Sequence, residues 1–523
     1  MSKGKRLTIL CGIVLLGSFL LLFQLDAKSL WTDELYSVLL SRWEISEIIN
    51  WAKEGEVHPP FHFIFLGAWQ AIFGESDLAL RLSSVLMGLL TLAIVYRIGK
   101  RLFGCKVALV ATYFLAISPL FIMYVRMARY FALSFLLGMA SCWLFLTLLR
   151  LRENAGQRVK AIVWLAYILV SILLLYTDYP TSVVILCQNI FMLLYWKKHK
   201  SMIWKWAGGQ LVLLLLYLPW IGIVIHSATV SSQGVPAHFG RGALGYLLKI
   251  AIPFYAYSVG ETILPWNPGA IAELGLVLAL AAMGLVSLIR RWGEEAAFTT
   301  LLFFPPLAVL VIVFSTGYSR STFLGIPSRA MYVLPFFYLT VARGILSFRG
   351  ARTRALLLLG ITLLNLFPLR NYFRGEDFVN PVFAVPAKEM VDYVASNHLE
   401  ATDVLISPWD SVFAHYYLQR EYDAPHFFSV SSNTLYPQAS GINEARLYIE
   451  NHKSPRVWLI TLGRDSTREA RPTEFIEWLN QDYDLKLTKG YAEQDEMYRR
   501  IKEMLLHRPA YKYKATVQLY TRR

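Results

Sequence analysis

The chain has 523 residues, of which 56% are hydrophobic and 14% aromatic, whereas only 17% are charged. A soluble globular protein is about half apolar and a quarter charged, so this composition excludes an ordinary soluble protein and predicts an integral membrane protein. The formal net charge is +15, from 51 Lys and Arg against 36 Asp and Glu. From residue 371 on there are only 19 Lys and Arg but 21 Asp and Glu. The basic excess therefore falls in the apolar part, where it indicates membrane topology and no nucleic-acid partner.

Apolar runs of about 17 to 25 residues, each long enough to cross a bilayer as a helix, recur along the first 370 residues. We predict about eleven spans, at 7–25, 78–98, 105–123, 130–149, 161–176, 181–196, 203–225, 270–289, 298–315, 330–347 and 354–369. Only TDYP separates 161–176 from 181–196, so these two are alternatively one broken helix. No small-x-small cleavage site follows the first run, which we interpret as a retained helix.

The basic residues alternate between successive turns. The N-terminal segment carries Lys3, Lys5 and Arg6, and every second turn after it is basic, whereas the opposite turns carry little positive charge. Short cytoplasmic turns concentrate Lys and Arg, so we predict a cytoplasmic N-terminus. An odd number of spans then places the C-terminus on the exterior side.

The first exterior loop, 26–77, is long for a protein built of tight turns. It opens with LWTDELYSVLL, which places the adjacent acids Asp33 and Glu34 just outside the first span. Apolar and aromatic residues follow at mostly helical spacing, then a Pro-Pro pair interrupts the pattern, and an apolar stretch comes after it. We predict two helices lying at the membrane surface, with their apolar sides down and their aromatic residues at headgroup depth.

Residues 371–523 differ in kind from the rest, because charges of both signs intersperse and the apolar runs shorten. Helix-like segments such as AKEMVDYVASNH, SVFAHYYLQR and NEARLYIENH alternate with strand-like segments such as DVLISP, APHFFSV, RVWLITLG and ATVQLYTRR. We therefore predict a membrane domain over 1–370 and an exterior α/β domain over 371–523.

Motifs near the N-terminus resemble those of a known family. WTDELYS, then HPPFHFIFLGAWQAIFGESDLALRLSSVLMG, then RIGKRLFG resemble the N-terminal signature of polyprenyl-phosphate-dependent glycosyltransferases. These are the dolichyl-phosphate-mannose protein mannosyltransferases of glycosyltransferase family 39 and their bacterial relatives, which include aminoarabinose transferases. The resemblance covers the first third well and extends more loosely to GIPSRAMYVLPFFYLTVARGIL and the exterior domain. It implies the GT-C architecture, an α-helical polytopic membrane protein with a C-terminal exterior α/β domain, in a bacterial plasma membrane.

The chemistry of such a transfer explains the need for acids in the first loop. A carboxylate that accepts the proton of the acceptor hydroxyl speeds the attack on the anomeric carbon by about 10²- to 10⁴-fold. The resemblance implies that Asp33 is this base or part of a metal–phosphate site, and that Glu34 helps to place the acceptor. The alternative, a solvated pair at a helix start with an N-cap, explains an isolated TDEL equally well. The HPP block that follows favours the functional interpretation.

The leaving phosphate needs positive charge from Arg, Lys or a divalent cation. Exterior arginines are unusual here, since most cations of this chain are predicted inside. Anchoring to lipid headgroups explains any one of them, but a group favours a phosphate site. We predict Arg129 and Arg329 as ligands of the lipid phosphate, with Arg126, Arg320 and Lys249 as lesser candidates.

The second exterior turn departs from the family pattern. It reads YVRMARYFAL, with Met127 where many bacterial members carry an acid. Two acids could serve as the second acid of the site, Asp178 in YTDYPTS and Glu261 in SVGETILPWNP. The alternative interpretation is that each is an ordinary loop acid exposed to solvent. His58 of HPPF is evenly balanced between a site member and a packing residue. Dependence on a divalent cation stays open.

We therefore predict a hexosyl or pentosyl transferase that moves a sugar from a polyprenyl-phosphate donor to an exterior glycan, lipid or protein. Two alternatives remain, a transporter or flippase of lipid-linked solutes and a degenerate member that binds lipid-linked sugar without transferring it. A transporter is disfavoured because no internal repeat is evident.

Overall fold

The structure is a computed structural model. It describes residues 2–54, 58–151, 156–232, 243–315, 326–380, 383, 386–397, 400, 402–407, 416–418, 420, 427–429, 442–465, 470–493, 500 and 512–523. Two compact units make up the chain: Met1–Leu25 with Ser41–Val379, and Asp26–Leu40 with Asn380–Arg523. The opening part of the predicted exterior loop thus groups with the C-terminal residues.

The described part of the first unit is helical. In chain order the helices up to residue 379 are α1 (Lys3–Leu22), α2 (Thr32–Leu40), α3 (Ile45–Lys53), α4 (Phe61–Phe73), α5 (Asp77–Phe103), α6 (Cys105–Ile117), α7 (Pro119–Val125), α8 (Tyr130–Leu148), α9 (Gln157–Leu175), α10 (Val183–Leu194), α11 (Lys200–Ser232), α12 (Ala243–Ser258), α13 (Pro268–Ile289), α14 (Glu294–Ser315), α15 (Ile326–Arg329), α16 (Leu334–Ser347) and α17 (Ala351–Arg374). All of them except α2 belong to the first unit.

Fewer helices have the length of a membrane span than the sequence predicts. Among the described residues, eight are long and apolar enough, namely α1, α5, α8, α9, α11, α13, α14 and α17, and the bent pair α6–α7 makes up to nine. The predicted spans 181–196 and 330–347 fall on α10 and α16, which have only 12 and 14 residues. The polytopic helical fold is confirmed, whereas the count of eleven becomes eight or nine among the described residues, because these two belong to the shorter apolar helices.

The predicted span 105–123 is two helices that meet at a bend of 61°. Pro119 stands at the first position of α7, where its missing N–H costs nothing, and Ser118 caps that helix by accepting a hydrogen bond from the N–H of Phe121 at 3.3 Å. The chain therefore starts a second helix here. Residues 126–129 follow α7 directly and connect it to α8.

Two glycines allow the backbones of α13 and α16 to touch. A Cβ on Gly284 would lie 1.8 Å from the carbonyl oxygen of Thr340, and one on Gly344 would lie 2.0 Å from that of Leu280. Small residues of this kind permit close helix packing where lipid supplies no hydrophobic drive.

A buried hydrogen-bond network joins α8, α9, α10 and α11. The Tyr167 hydroxyl donates to Gln188 Oε1 at 2.7 Å, and the Gln188 amide donates to Ser141 Oγ at 3.1 Å. Ser171 and Ser141 are 3.2 Å apart, and the Gln210 amide donates to Tyr167 at 3.3 Å. The helices α9 and α10 are separate, and the bond between Tyr167 and Gln188 shows that they lie side by side on either end of the TDYP turn.

The second unit contains a five-stranded mixed sheet. Beside α2, its elements are α18 (Ala387–Ser396), β1 (Val404–Ser407), β2 (Phe427–Ser429), α19 (Ile442–His452), β3 (Arg456–Asp465), α20 (Ala470–Asp482), β4 (Tyr483–Glu493) and β5 (Lys512–Arg522). The strand order is β2-β1-β3-β5-β4, with β1 parallel to β2 and β3, and β5 antiparallel to β3 and β4. The predicted α/β fold is confirmed. SVFAHYYLQR lies largely outside the described residues.

The segment before α2 is fastened to the C-terminal residues of the same unit. The N–H of Leu30 donates to the Tyr417 hydroxyl at 2.7 Å, and the N–H of Lys388 donates to Ser29 Oγ at 2.8 Å. The ring of Trp31 packs edge-on against Phe383, with centroids 4.7 Å apart. Three separate contacts therefore hold the segment that leads into the acidic pair.

Candidate functional site

Asp33 and Glu34 lie in the first turn of α2, where carboxylates are stabilised by the helix dipole. Glu34 is buried, and its Oε2 accepts a hydrogen bond from the N–H of Trp31 at 3.1 Å. Asp33 is half-buried, and its backbone carbonyl accepts from Ser37 Oγ at 3.0 Å. The Glu34 carboxylate thus holds the start of the helix.

Arg129 forms the centre of a polar cluster in the first unit. It precedes α8 in extended backbone conformation and is buried. Its Nη2 lies 3.4 Å from His58 Nε2, and its guanidinium lies 5.1 Å from the ring centroid of Tyr130. The His58 and Tyr130 rings are themselves 4.6 Å apart. His58 is therefore a member of this cluster rather than an isolated residue before the prolines.

Arg329 and Asp178 belong to the same cluster. Burial raises the pKa of Asp178, while Arg329 and Arg129 both act to lower it. Burial, Arg129 and Arg329 together hold the pKa of His58 well below its usual value, so its imidazole is neutral at pH 7. Four residues selected from the sequence, two arginines, a histidine and an aspartate, are therefore brought together.

Backbone contacts explain why these distant segments meet. The N–H of Phe61, at the start of α4, donates to the carbonyl of Tyr176 at the end of α9 at 3.0 Å. The Tyr332 hydroxyl, three residues after Arg329, donates to the carbonyl of Pro180 at 3.0 Å. The TDYP turn is thus joined to the HPP block on one side and to the Arg329 segment on the other. Asp178 itself accepts from the Thr181 N–H at 3.1 Å.

Arg126 lies three residues from Arg129 but interacts with different elements. Its Nη2 donates to the carbonyl oxygens of Phe23 and Gln24, both at 2.7 Å. Its guanidinium also lies 5.2 Å from the ring centroid of Tyr372 and 5.0 Å from that of Phe373. These contacts cap the end of α1 and favour a structural role for Arg126 over the phosphate role considered from the sequence.

The remaining candidates from the sequence either lie in other surroundings than the Arg129 cluster or fall outside the described residues. Lys249 is buried in α12, with its ammonium 5.1 Å from the ring centroid of Tyr246. Arg320 lies outside the described residues. Met127 is buried, and its carbonyl accepts from the N–H of Arg129 at 2.8 Å, so it shapes the turn that carries the arginine.

Glu261 is buried between α12 and α13. Its Oε2 accepts a hydrogen bond from the Tyr124 hydroxyl at 2.9 Å. Burial raises the pKa of Glu261 to about 8. The carboxyl is therefore largely neutral at pH 7, whereas a carboxylate that binds a cation is ionised.

Sequence reasoning missed two residues of the cluster, His62 and Tyr130. The His62 ring is 6.4 Å from that of Tyr130 and acts electrostatically on His58. The signal for His62 was its closeness to His58 in the sequence, across the Pro-Pro pair and in the first turn of α4. Tyr130 had no signal beyond following Arg129.

Metal ligands are not grouped in the part of the chain that the structure describes. No set of three or more His, Cys, Asp or Glu residues there is close enough to hold a metal ion. The arrangement of Arg129 and Arg329 instead suits an oxyanion, because guanidinium groups donate paired hydrogen bonds to phosphate oxygens.

The described residues combine an apolar helical unit with a unit that contains a mixed sheet, which is the architecture that the resemblance to GT-C proteins implies. Residues 57–223 match the family described as dolichyl-phosphate-mannose-protein mannosyltransferase. This match confirms the resemblance seen in the motifs. It includes His58, Arg129 and Asp178, whereas Asp33 and Arg329 lie outside it.

Solved structures agree over almost the whole chain. The chain is similar to ArnT from Cupriavidus metallidurans bound to undecaprenyl phosphate, with a TM-score of 0.56, 13% identity, and coverage of 99% of this chain and 98% of that chain. The apo state of the same protein matches with a TM-score of 0.55, 14% identity and the same coverage.

A third similar structure is the Archaeoglobus fulgidus oligosaccharyltransferase tethered with an acceptor peptide, with a TM-score of 0.53, 11% identity, and coverage of 100% of this chain and 89% of that chain. At these identities the likeness shows the fold alone. No curated protein matches this chain.

Proposed function

We propose that this protein transfers a sugar from a polyprenyl-phosphate carrier to a hydroxyl group of an acceptor on the exterior face of the membrane. The observation that carries the proposal is the convergence of Arg129 and Arg329 on His58 and Asp178 within a GT-C fold. The undecaprenyl phosphate bound to ArnT supports a donor of the same chemical class here.

Each step of the reaction has a residue to serve it. The acceptor oxygen attacks the anomeric carbon, the bond from that carbon to the phosphate oxygen breaks, and the phosphate leaves with the electron pair. Asp33 takes the proton of the acceptor hydroxyl, while Arg129 and Arg329 stabilise the charge that develops on the phosphate. A direct displacement of this kind inverts the anomeric configuration.

A neutral His58 suits this site. An imidazole that is neutral at pH 7 can donate one hydrogen bond to a phosphate oxygen while its other nitrogen faces the Arg129 guanidinium. The basic turns assign the N-terminus to the cytoplasm and the acceptor to the opposite side. We propose a bacterial plasma membrane as its location, because the family resemblance implies one.

The experiment compares purified wild type with Asp33→Asn and with Glu34→Gln as the neighbouring control. Polyprenyl-phosphate sugars of several kinds are supplied with and without divalent cations and acceptors, and release of free polyprenyl phosphate is measured. We expect release by wild type, and a loss of about 10²-fold or more in Asp33→Asn at an unchanged melting temperature. If wild type binds the lipid but releases nothing from any donor, the transferase proposal fails, and a binder without transfer activity, with Met127 in place of the family's acid, takes its place.

A further inference from the structure

A buried contact outside the arginine cluster joins three distant parts of the first unit. The Tyr124 hydroxyl donates to Glu261 Oε2 at 2.9 Å and is also hydrogen-bonded to the side chain of Ser328. Tyr124 and Glu261 are both buried and are 137 residues apart in sequence. One hydroxyl group thus connects α7, the α12–α13 loop and α15.

The loop that carries Glu261 is held firmly in place. Gly260 has a φ of +93°, and a Cβ there would lie 2.7 Å from the Cβ of Pro119, so glycine alone suits both the conformation and the space. The N–H of Val379 donates to the backbone carbonyl of Glu261 at 2.9 Å, and the Thr262 hydroxyl donates to a carbonyl of α17 at 2.6 Å. The loop therefore contacts both ends of α7: Gly260 packs against Pro119, the first residue of the helix, and Glu261 binds Tyr124, near its last residue.

Both contacts of Tyr124 lead to arginines of the proposed phosphate site. Tyr124 is the last but one residue of α7, and the short turn after α7 carries Arg129. Ser328 is followed directly by Arg329. A shift of Tyr124 would move the ends of both arginine-bearing segments.

We propose that Glu261 is a positioning residue, which fixes Tyr124 and through it the separation of Arg129 and Arg329 at the phosphate site. This inference rests on the proposed function, since it assigns those two arginines to the donor phosphate. Glu261 then acts without touching the substrate, in contrast to the second catalytic acid considered from the sequence.

The protonation state agrees with this role. Because burial raises the pKa of Glu261 to about 8, the carboxyl is largely neutral at pH 7. A neutral carboxyl still accepts the Tyr124 hydrogen bond through its carbonyl oxygen, and it adds no negative charge that would repel a phosphate.

The test uses three single variants of the full-length protein, Glu261→Leu, Glu261→Gln and Tyr124→Phe, and the double variant Tyr124→Phe/Glu261→Leu. The probe is a short-chain polyprenyl phosphate in detergent, and its Kd is measured. We expect Glu261→Leu to raise Kd about 10-fold, the effect of one lost hydrogen bond between neutral groups, and Tyr124→Phe, which also loses the bond to Ser328, to raise Kd at least as much. The double variant should be no worse than Tyr124→Phe alone, because Tyr124→Phe has already lost the bond to Glu261.

Glu261→Gln is the conservative variant, since an amide oxygen accepts the Tyr124 hydrogen bond as a neutral carboxyl does. We expect it to restore Kd to within about 3-fold of wild type. A Glu261→Gln protein as impaired as Glu261→Leu would overturn the positioning role in favour of an acid that acts directly.

The Arg129→Gln background separates positioning from a general loss of structure. If Glu261 acts through the arginines, Glu261→Leu adds less than about 2-fold to Kd once Arg129 is replaced, because interacting residues are non-additive. An equal 10-fold effect in both backgrounds would show a purely structural role and overturn the proposal. The Kd is measured without turnover. If wild type transfers no sugar, the proposed function is refuted, but the effect of Glu261 on phosphate binding can still be determined.

Discussion

Arg129 and Arg126 form a matched pair that tests the phosphate site. Both have 5% of their surface exposed, and they stand three residues apart, yet Arg129 faces His58 whereas Arg126 donates to the end of α1. A hydrogen bond to a charged group contributes about 1.5–3 kcal/mol, so Arg129→Gln should raise the Kd for polyprenyl phosphate by about 10- to 150-fold. Arg126→Gln should instead lower the melting temperature, with a change in Kd below about 3-fold.

The assay is titration of a short-chain polyprenyl phosphate into each detergent-solubilised variant, with the corresponding polyprenol as the ligand control. Because the alcohol lacks the phosphate, its affinity should be the same in wild type and Arg129→Gln. Equal weakening of both ligands by Arg129→Gln would show that the residue shapes the lipid groove. If Arg126→Gln weakened phosphate binding as strongly as Arg129→Gln, the separation of their roles would be wrong.

Three further predictions concern stability, each measured as thermal unfolding of purified protein. Gly344→Ala should destabilise the helix pair α13–α16 by about 1–3 kcal/mol through overpacking, because its Cβ would lie 2.0 Å from a backbone oxygen. The control Gly360→Ala, where nothing lies within 4 Å of the added Cβ, should be neutral or stabilising. Equal effects of the two variants would contradict the packing argument. Asp403→Asn should cost about 3 kcal/mol, since its buried carboxylate holds a guanidinium and an indole N–H, whereas Asp484→Asn, on an exposed ion pair, should change little. The pKa of His58 is well below 6.5 in the folded protein, so between that folded pKa and about pH 6.5 the unfolded chain binds more protons than the folded one. Stability should therefore fall as pH drops below about 6.5, by up to about 1.4 kcal/mol per pH unit from this residue. His58→Gln should flatten this pH dependence, and an unchanged slope would refute the prediction.

The helical fold of the first unit was predictable because long apolar runs carry a strong signal for membrane helices. The bend at Pro119 was present in the sequence as a Ser-Pro pair, but a run of apolar residues on both sides concealed it. Strand β4 was not predicted, since LKLTKGYAE contains few β-branched residues, and its pairing with β5 decides its structure.

Part of the candidate site was also predictable, but the orientation of side chains was not. Arg126 and Arg129 share residue type, depth and neighbourhood in the sequence, and only the packing of α1 against the turn after α7 distinguishes them. Nothing local in MYVRM or VGETI links Tyr124 with Glu261, because the bond joins residues 137 apart. Long-range contacts of this kind depend on the whole fold.

The hydrogen bond between Leu30 and Tyr417 has a consequence for biosynthesis. The two residues are 387 positions apart, and a ribosome adding about 5–20 residues per second needs about 20–80 s to make the chain between them. During that time the segment before α2 lacks the partners that fasten it in the finished protein. The segment that leads to the proposed base can therefore gain this contact only after 417 of the 523 residues have been synthesised, and a chain that is terminated earlier lacks it.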